Sequence, residues 1–359
     1  MTSAVDHRRQ PIIAQGERRK RLGLRDITNL VTTRTGVKKP ITKAQFVANN
    51  TIAKKPLKSL SSVLSARSKV ASGIATTKPK DPIINIDEFD KNNELAEVEY
   101  VEEIYTFYKL SETEGCLRDY MDSQPDINAR MRAILLDWLI LFHIKYGLMP
   151  ETLYLTINIV DRYLSVTTVA RTELQLVGIS ALLISSKYEE IRPPWVNDMI
   201  TISDCAYSRE QILAMEKAIL SRLGWYLTVP TPYVFAVRYT KVSLPSDNEM
   251  ENMVFFFTEL GLMDYLVTIR NNPSKLAASA VYAARCTLNK TPAWTETLKH
   301  YTGYGEDQLR DCAMSLVSFH ARASENKFNA VYKKYVNPDR SVVSLRPPAT
   351  SLLVVNHHE

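Results

Sequence analysis

Long apolar runs and glycine are scarce in this sequence, and each shortage excludes a class of protein. No run approaches the roughly 20 apolar residues that a membrane-spanning helix requires, and the N-terminus lacks the apolar core of a secretory signal peptide. The 11 glycines form no glycine-rich phosphate loop. The sequence therefore argues against a membrane-spanning protein, a secreted protein and a nucleotide-binding enzyme.

Cysteine and histidine are also few, and neither forms a recognisable site. The six histidines are scattered, with no His-Glu-x-x-His motif, and no nucleophile elbow is present. The four cysteines lie far apart, without metal-ligand or disulfide spacing. We therefore predict no catalytic residue, no metal and no cofactor, and we expect reduced, mostly buried thiols of an intracellular protein at Cys116, Cys205, Cys286 and Cys312.

The net charge of +6 conceals a strong asymmetry along the chain. Residues 1–80 contain 18 Lys and Arg against 3 Asp and Glu, while the remainder contains 27 against 36. The chain is thus a basic tail (+15) joined to an acidic body (−9). With Phe46 as its single aromatic residue, the tail cannot bury enough apolar surface to fold. We predict that residues 1–86 are disordered; the basic charge could bind nucleic acid, carry a nuclear-import signal or simply keep the tail solvated.

The body shows helical periodicity and no strand-like alternation, so an all-α fold is predicted. Val98, Val101, Ile104, Tyr105 and Tyr108 recur at spacings of three and four, which predicts an N-terminal helix within residues 87–127. The first bundle, residues 128–229, should contain helices near 128–146, 151–165, 171–190, 195–201 and 208–222. A second helical bundle should span 230–345, followed by an irregular tail at 346–359.

The helix at 131–139 is apolar on two opposite arcs, whereas a surface helix needs only one. One arc contains Met131, Ile134, Leu135 and Trp138, and the other contains Ala133, Leu136, Ile140 and Ile144. Two interpretations follow from this pattern. Either the helix is central and covered on both sides, or the arc with Trp138 stays open as a docking patch.

The amino-acid sequence of this helix resembles the signature of the cyclin box. It reads Met131-Arg132-Ala133-Ile134-Leu135-Leu136-Asp137-Trp138-Leu139. Four more blocks follow in the family's order, at 151–155, 161–164, 174–178 and 186–190. The segments 230–235 and 273–280 are similar to B-type mitotic cyclins, nearest in wording to those of plants. The resemblance covers about residues 95–345. It implies two tandem five-helix cyclin boxes in a non-catalytic subunit that activates a mitotic cyclin-dependent kinase at the G2/M transition.

The resemblance also implies roles for individual residues. Kinase contacts are expected from Lys187 and Glu216, which pair in cyclins, and from the N-terminal helix with Tyr105 and Tyr108, which packs beside the first box in the family. Arg132 and Asp161 match the internal ion pair of the cyclin box, and neither charge would be tolerated alone in an apolar bundle. A patch for docking-motif substrates is expected at Met131, Ile134, Leu135, Trp138 and Gln175.

The chain departs from the family at Leu141, where many cyclins have a glutamate that helps receive the cation of R-x-L substrate motifs. Leucine removes that charge while leaving apolar docking possible. Whether basic motifs still dock is therefore left open by the sequence.

The segment Arg21-Leu22-Gly23-Leu24-Arg25-Asp26-Ile27-Thr28-Asn29 matches the extended destruction box R-x-x-L-x-x-I-x-N of mitotic cyclins. Its anchor residues are Arg21, Leu24, Ile27 and Asn29. The resemblance implies recognition by the anaphase-promoting ubiquitin ligase and proteolysis at mitotic exit. It also implies a protein of nucleus and cytoplasm that is nuclear at mitosis.

A second class of function is an adaptor that binds nucleic acid through paired cyclin folds, as general transcription factors do, with phosphate contacts from the basic tail. The −9 charge of the body argues against it. We therefore expect neither a membrane nor a specific nucleic acid among the partners.

Overall fold

The computed structural model describes residues 82–114, 117–243 and 247–353. The Arg21–Asn29 motif and Cys116 lie outside the described residues. Within those ranges the chain forms thirteen α-helices, several short 3₁₀ turns and no strand, so the predicted all-α class is confirmed. No helix in the described part of the chain is both long and apolar enough to cross a bilayer.

The five helices predicted for the first bundle are all present, with ends that differ from the predicted ones by at most three residues. They are α2 (Ala129–Tyr146), α3 (Pro150–Val166), α4 (Leu174–Glu189), α5 (Val196–Ile202) and α6 (Arg209–Arg222), preceded by α1 (Val101–Glu114).

Local sequence explains where the helices of the first bundle begin and end. The Asn128 side chain caps α2 by accepting a hydrogen bond from the Met131 amide at 3.0 Å, and Gly147 ends it in the left-handed conformation at φ 60°. Pro150 occupies the first turn of α3. At the start of α6, Ser208 and Gln211 form the predicted reciprocal capping box.

The second bundle repeats this order of long and short helices, with one further short helix after its second long helix and another at its end. It contains α7 (Pro232–Val242), α8 (Asn248–Met263), α9 (Tyr265–Arg270), α10 (Pro273–Thr287), α11 (Glu296–Thr302), α12 (Glu306–Arg322) and α13 (Ala330–Tyr335).

The third long helix of each bundle lies at its centre. Twelve of the 16 residues of α4 are buried, and twelve of the 15 residues of α10. Gly178 lets α2 approach α4 closely, because a Cβ atom at that position would lie 2.7 Å from Leu135 Cδ1. Each bundle therefore wraps around one almost fully buried helix.

Helix α2 joins the two bundles instead of being covered by its own bundle alone. Asp137 accepts a hydrogen bond from the Ala330 amide at the start of α13, at 2.8 Å. Leu136 and Ile140 are buried, as the second arc predicts, but Ile144 at its end is 43% exposed. Helix α2 thus takes part in the contact between the bundles through Asp137.

Two expectations about the body were wrong. The hydrogen bonds and ring contacts of α1 run to the second bundle and not to the first, as described below. The thiols were expected to be mostly buried, but Cys205 is exposed and Cys286 half-buried, leaving Cys312 buried. Cys205 follows α5 in a left-handed turn at φ 59°, which holds it at the surface.

After Val336 the chain forms three 3₁₀ turns, Pro338–Arg340, Val343–Leu345 and Thr350–Leu352. Val343 is fully buried, and Leu352 is nearly so. This segment therefore adds apolar surface to the second bundle.

Candidate functional site

Arg132 and Asp161 form a buried ion pair that fixes α2 to α3. Arg132 Nε lies 2.6 Å from Asp161 Oδ1 and Nη2 lies 2.7 Å from Oδ2, with both side chains at most 1% exposed. Arg132 Nη1 also donates to the Leu262 carbonyl at 2.9 Å, which belongs to the second bundle. The pair is therefore also part of the contact between the bundles.

The segment ahead of the first bundle is tied to the same pair. Tyr120 donates its hydroxyl to Asp161 Oδ1 at 2.7 Å. Tyr265 of α9 accepts from the Tyr120 amide at 2.8 Å and donates to Asp119 at 2.7 Å. Burial, and then the charge of Asp161, raise the pKa of Tyr120 well above its ordinary value, so its hydroxyl remains a donor.

Lys187 and Glu216 form an ion pair at the surface, where α4 ends beside the middle of α6. Lys187 Nζ lies 2.6 Å from Glu216 Oε1. The two side chains differ in exposure, because Lys187 is 46% exposed and Glu216 only 12%. Glu216 is thus largely covered, whereas Lys187 remains accessible.

Exposed aromatic side chains lie near the ends of the same two helices. Tyr188 is 48% exposed, and its hydroxyl lies 2.7 Å from Thr228 Oγ1, so the turn after α6 lies beside the end of α4. In that turn Trp225 is 67% exposed and adopts a left-handed conformation at φ 60°. A partly desolvated ion pair next to exposed aromatic surface is typical of a protein interface.

Met131, Ile134, Leu135 and Trp138 from α2 line an open groove with Arg171, Leu174 and Gln175 at the start of α4. The groove encloses about 310 Å³. Leu135 is buried at its floor, where it contacts Gly178, while Ile134 is 47% exposed. This arc of α2 is therefore partly open and not covered as the opposite side is; whether it docks peptides stays a prediction.

The charge that lines this groove is positive. Arg171 is the one ionisable residue among the described residues that line it. Leu141, at the position where many cyclins have glutamate, is 46% exposed and brings no charge. The groove therefore offers apolar contact to a peptide and no counter-ion to an arginine or lysine of that peptide.

Tyr105 and Tyr108 face the second bundle instead of solvent. The Tyr105 hydroxyl donates to the Val234 carbonyl at 3.0 Å, and both rings meet Phe235 edge-on at 6.3 and 6.4 Å. Burial raises the pKa of Tyr105 to about 12. Further along α1, Glu112 accepts from the Ser274 hydroxyl at 2.6 Å. These contacts give the two tyrosines an internal role in holding α1.

The opposite face of α1 is the exposed one. Ile104, Phe107 and Leu110 are 37%, 60% and 57% exposed. At 100° per residue these three positions lie within one arc that excludes both tyrosines. Sequence reasoning missed this face because α1 carries apolar residues on both sides, and the pattern does not say which side is covered.

The sequence analysis also missed a cluster in the segment before α1. Asp87 receives two bonds from Arg238, at 2.5 and 2.6 Å, and a third from Lys241 Nζ at 2.8 Å. Burial alone would raise the pKa of Asp87, but these bonds outweigh it and hold the pKa below its usual value. The one available signal was the abrupt start of acidic residues at Asp87.

The described residues include no cluster of three His, Cys, Asp or Glu side chains arranged to hold a metal ion. His143 is buried, which lowers its pKa to about 4, and its Nε2 lies 2.9 Å from the Met149 carbonyl. It is therefore a neutral side chain of the fold at physiological pH.

Comparisons with known proteins agree with this architecture. Residues 103–228 match the family model described as the N-terminal domain of cyclins, and residues 230–349 match the model of the cyclin C-terminal domain. Together the two models cover more than half of the chain and meet between α6 and α7.

Curated relatives are similar over most of the chain. The G2/mitotic-specific cyclin-2 of Antirrhinum majus is 54% identical over 86% of this chain and 70% of its own length. Cyclin-B1-4 of Arabidopsis thaliana is 57% identical over 81% of this chain and 74% of its own. Cyclin-B1-2 of the same plant is 54% identical over 98% of this chain and 78% of its own.

Among solved structures, a viral cyclin from herpesvirus saimiri superposes with a TM-score of 0.54 at 20% identity. The match covers 65% of this chain and 99% of the viral one. At that identity the likeness concerns the fold alone.

Proposed function

This chain belongs to the cyclin family, to its B-type, G2/mitotic branch, and on that premise we propose that it binds and activates a cyclin-dependent Ser/Thr kinase at the G2/M transition. Cyclins are regulatory subunits and not enzymes. Their part in the reaction is to change which conformation of the kinase is populated.

The observation that carries this proposal is the Lys187–Glu216 pair on two packed helices. Because α4 is almost entirely buried and α6 packs against it, the backbone positions that carry the pair are fixed relative to each other. A rigid, charged surface next to exposed Tyr188 and Trp225 can bind one placement of a mobile kinase helix and exclude others.

The mechanism we propose is a population shift. A kinase needs the ion pair between its phosphate-binding Lys and the Glu of its regulatory helix before it can position ATP. A cyclin surface that contacts that helix only in its active placement stabilises this placement by its differential affinity. To reverse a 99:1 preference for the inactive state, this difference must be about 10⁴-fold in affinity.

We assign the exposed side of α1 to the same interface, through Ile104, Phe107 and Leu110 in place of the inward-facing tyrosines. These three side chains form an apolar face that is 37–60% exposed in the described part of the chain. An aromatic residue at the centre of such a face is a common source of binding energy at protein interfaces.

The test of this function is the double variant Lys187→Glu with Glu216→Arg. It reverses both charges but keeps them opposite, so we expect the ion pair and the fold to persist while affinity for the kinase is lost. Binding of the full chain to a recombinant cyclin-dependent kinase would be measured by calorimetry, and activation by phosphorylation of histone H1.

Glu173→Gln is a matched control, since it changes an exposed charge in the 3₁₀ turn before α4 and away from the pair. Unchanged kinase binding by the double variant would contradict the proposal. Binding lost equally in the control would show a nonspecific effect of charge.

We also propose that the groove on α2 selects substrates by apolar docking, since its lining offers aliphatic and aromatic surface with a single positive charge. Peptides with aliphatic anchors and neutral or acidic flanks should bind there better than basic R-x-L peptides. The reason is that Arg171 repels a cationic residue.

Destruction at mitotic exit is the third part of the proposal. Arg21, Leu24, Ile27 and Asn29 have the spacing of the extended destruction box, and we propose that the anaphase-promoting ubiquitin ligase reads them. Nuclear localisation at mitosis, with a cytoplasmic pool before it, belongs to the same proposal.

The destruction box is tested by half-life in synchronised cells. Arg21→Ala with Leu24→Ala should stabilise the protein through mitotic exit while leaving kinase activation unchanged. Equal half-lives with and without the motif would mean that turnover depends on another segment.

A further inference from the structure

Residues 84–90, here called the strap, bind the second bundle much as a separate peptide would. Ile86 is 2% exposed. The Ile84 carbonyl accepts from the Tyr301 hydroxyl at 3.3 Å, and the Ile84 amide donates to Thr297 Oγ1 at 3.4 Å. The strap thus combines one buried apolar side chain with backbone hydrogen bonds to α11.

Asp87 is the main polar anchor of the strap. Arg238 donates to both of its carboxylate oxygens, and Lys241 donates to Oδ1 of Asp87 and, at 2.5 Å, to Asp90. Arg238 and Asp87 are 7% and 9% exposed in this pair. A bidentate pair that is shielded from water is stronger and more directional than an exposed one.

Arg238 in turn contacts α1. Its guanidinium carbon lies 5.4 Å from the centre of the Tyr105 ring and 5.3 Å from the Tyr301 ring, within cation–π range of both. Tyr105 belongs to the first half of α1, and Tyr301 to the helix that binds the strap. One guanidinium therefore links the strap, α1 and the second bundle.

The second half of α1 has separate anchors. Lys109 donates to the Thr302 carbonyl, and Glu112 accepts from Ser274. The contacts of Arg238 hold the first half of α1, which carries Ile104 and Phe107. The direction in which the exposed face points thus depends on both sets of contacts.

We propose that Asp87 is a positioning residue for kinase binding: by fixing Arg238 against Tyr105 it sets the exposed face of α1 before the kinase arrives. This inference rests on the proposed function. A preformed surface does not have to be ordered on binding. Once the anchor is lost, the apparent affinity should equal the intrinsic affinity multiplied by the fraction of molecules that still hold α1 in place.

The decisive comparison is between two neighbouring carboxylates of the strap. Asp87→Asn removes the charge that binds Arg238, whereas Glu88→Gln changes an exposed residue that bonds only its sequence neighbours Asn85 and Lys91 among the contacts seen. In the full chain we expect Asp87→Asn to increase hydrogen exchange over residues 84–110 with little change in α4 and α10. It should also weaken kinase binding about tenfold, if a tenth of the molecules keep the competent geometry. Glu88→Gln should change neither quantity.

A double-variant cycle separates positioning from a loss of stability. If Asp87 acts through α1, its effect on kinase affinity should largely vanish in a Phe107→Ala background, which lacks the side chain being positioned. The effect should persist in a Tyr188→Ala background, since that contact lies on the first bundle. Should Asp87→Asn fail to fold, Lys241→Gln removes one bond to Asp87 and should give a smaller effect of the same kind.

Two outcomes would overturn the inference. One is that Asp87→Asn speeds hydrogen exchange of the strap but leaves kinase affinity unchanged, while Lys187→Glu with Glu216→Arg still abolishes kinase binding. The proposed function would then stand, and the proposed role of Asp87 would be wrong. The other is full additivity of Asp87→Asn and Phe107→Ala. Failure of the unmodified chain to bind any cyclin-dependent kinase would instead remove the proposed function together with the inference.

Discussion

The centres of the two bundles match closely, but their surfaces differ. Near the end of the central helix α4, Lys187 extends to the surface and pairs with Glu216. Near the end of the central helix α10, Arg285 is 4% exposed and donates to the Ser243 hydroxyl and to the carbonyls of Pro292 and Ala293. The basic residue near the end of the central helix therefore lies at the surface in the first bundle, whereas in the second bundle it is buried and binds nearby loops.

The same contrast extends to the other charges of the second bundle. Glu259 accepts from Lys334 Nζ and the Tyr335 hydroxyl in a buried cluster, and Arg238 binds the strap. The first bundle leaves a groove and an ion pair open, while the second uses its polar side chains to hold other segments of the chain. In the complex proposed above, the kinase and substrates therefore meet the first bundle and α1, while the second bundle holds α1 and the strap in place.

The largest effect should come from breaking the joint between the bundles. Arg132→Ala leaves Asp161 buried without its cation, and we expect a loss of about 3–5 kcal/mol in the free energy of unfolding. Urea denaturation measures it. Lys187→Ala breaks the exposed pair instead and should cost at most about 1 kcal/mol. Equal losses of unfolding free energy in the two variants would contradict the view that Arg132–Asp161 lies at the interface between the bundles and Lys187–Glu216 at the surface.

A smaller effect should distinguish the two cores by their tightly packed glycines. A Cβ at Gly261 would lie 2.7 Å from Leu276 Cδ1 and 3.0 Å from Leu316 Cδ2, inside a closed core. Gly261→Ala should therefore cost about 1–3 kcal/mol.

At Gly178 the three atoms nearest to such a Cβ all belong to Leu135, which borders the open groove and can shift toward it. Gly178→Ala should cost less than about 1 kcal/mol, at the mild end of overpacking, while altering peptide docking. Thermal unfolding would show which of the two variants is less stable. A larger destabilisation by Gly178→Ala than by Gly261→Ala would contradict the predicted difference between the two cores.

Trp138→Ala tests whether the groove is separate from the core. Because the groove exposes part of the ring, the cost should stay below the roughly 3–5 kcal/mol that truncation of a fully buried Trp produces. Docking of apolar peptides should weaken while kinase activation stays nearly intact, as measured by peptide binding and by histone phosphorylation. A variant that unfolds would place Trp138 in the core.

The smallest change should come from restoring a charge beside the groove. Leu141→Glu on the exposed side of α2 should improve binding of a basic R-x-L peptide by about 0.2–1 kcal/mol, the range of an exposed ion pair. Fluorescence polarisation would measure the gain, with Leu141→Gln as the uncharged control. An equal gain in both variants would exclude an electrostatic origin.

The sequence by itself determined the all-α class and the helices of the first bundle, whereas the Arg132–Asp161 pairing came from the family resemblance. Caps, prolines and apolar periodicity act over a few residues, so they can be read locally, as Asn128, Pro150 and Ser208 illustrate. The family resemblance supplied Lys187 and Glu216, which lie 29 residues apart and which no local rule would join.

Only the tertiary structure decided which side of a doubly apolar helix is covered. For α2 the fold buries Leu136 and leaves Trp138 at an open groove; for α1 the second bundle covers Tyr105 and leaves Phe107 exposed. Asp87 found its partner 151 residues along the chain. Periodicity fixes the faces of a helix, but its environment depends on contacts between distant segments, and these form only when the bundles pack together.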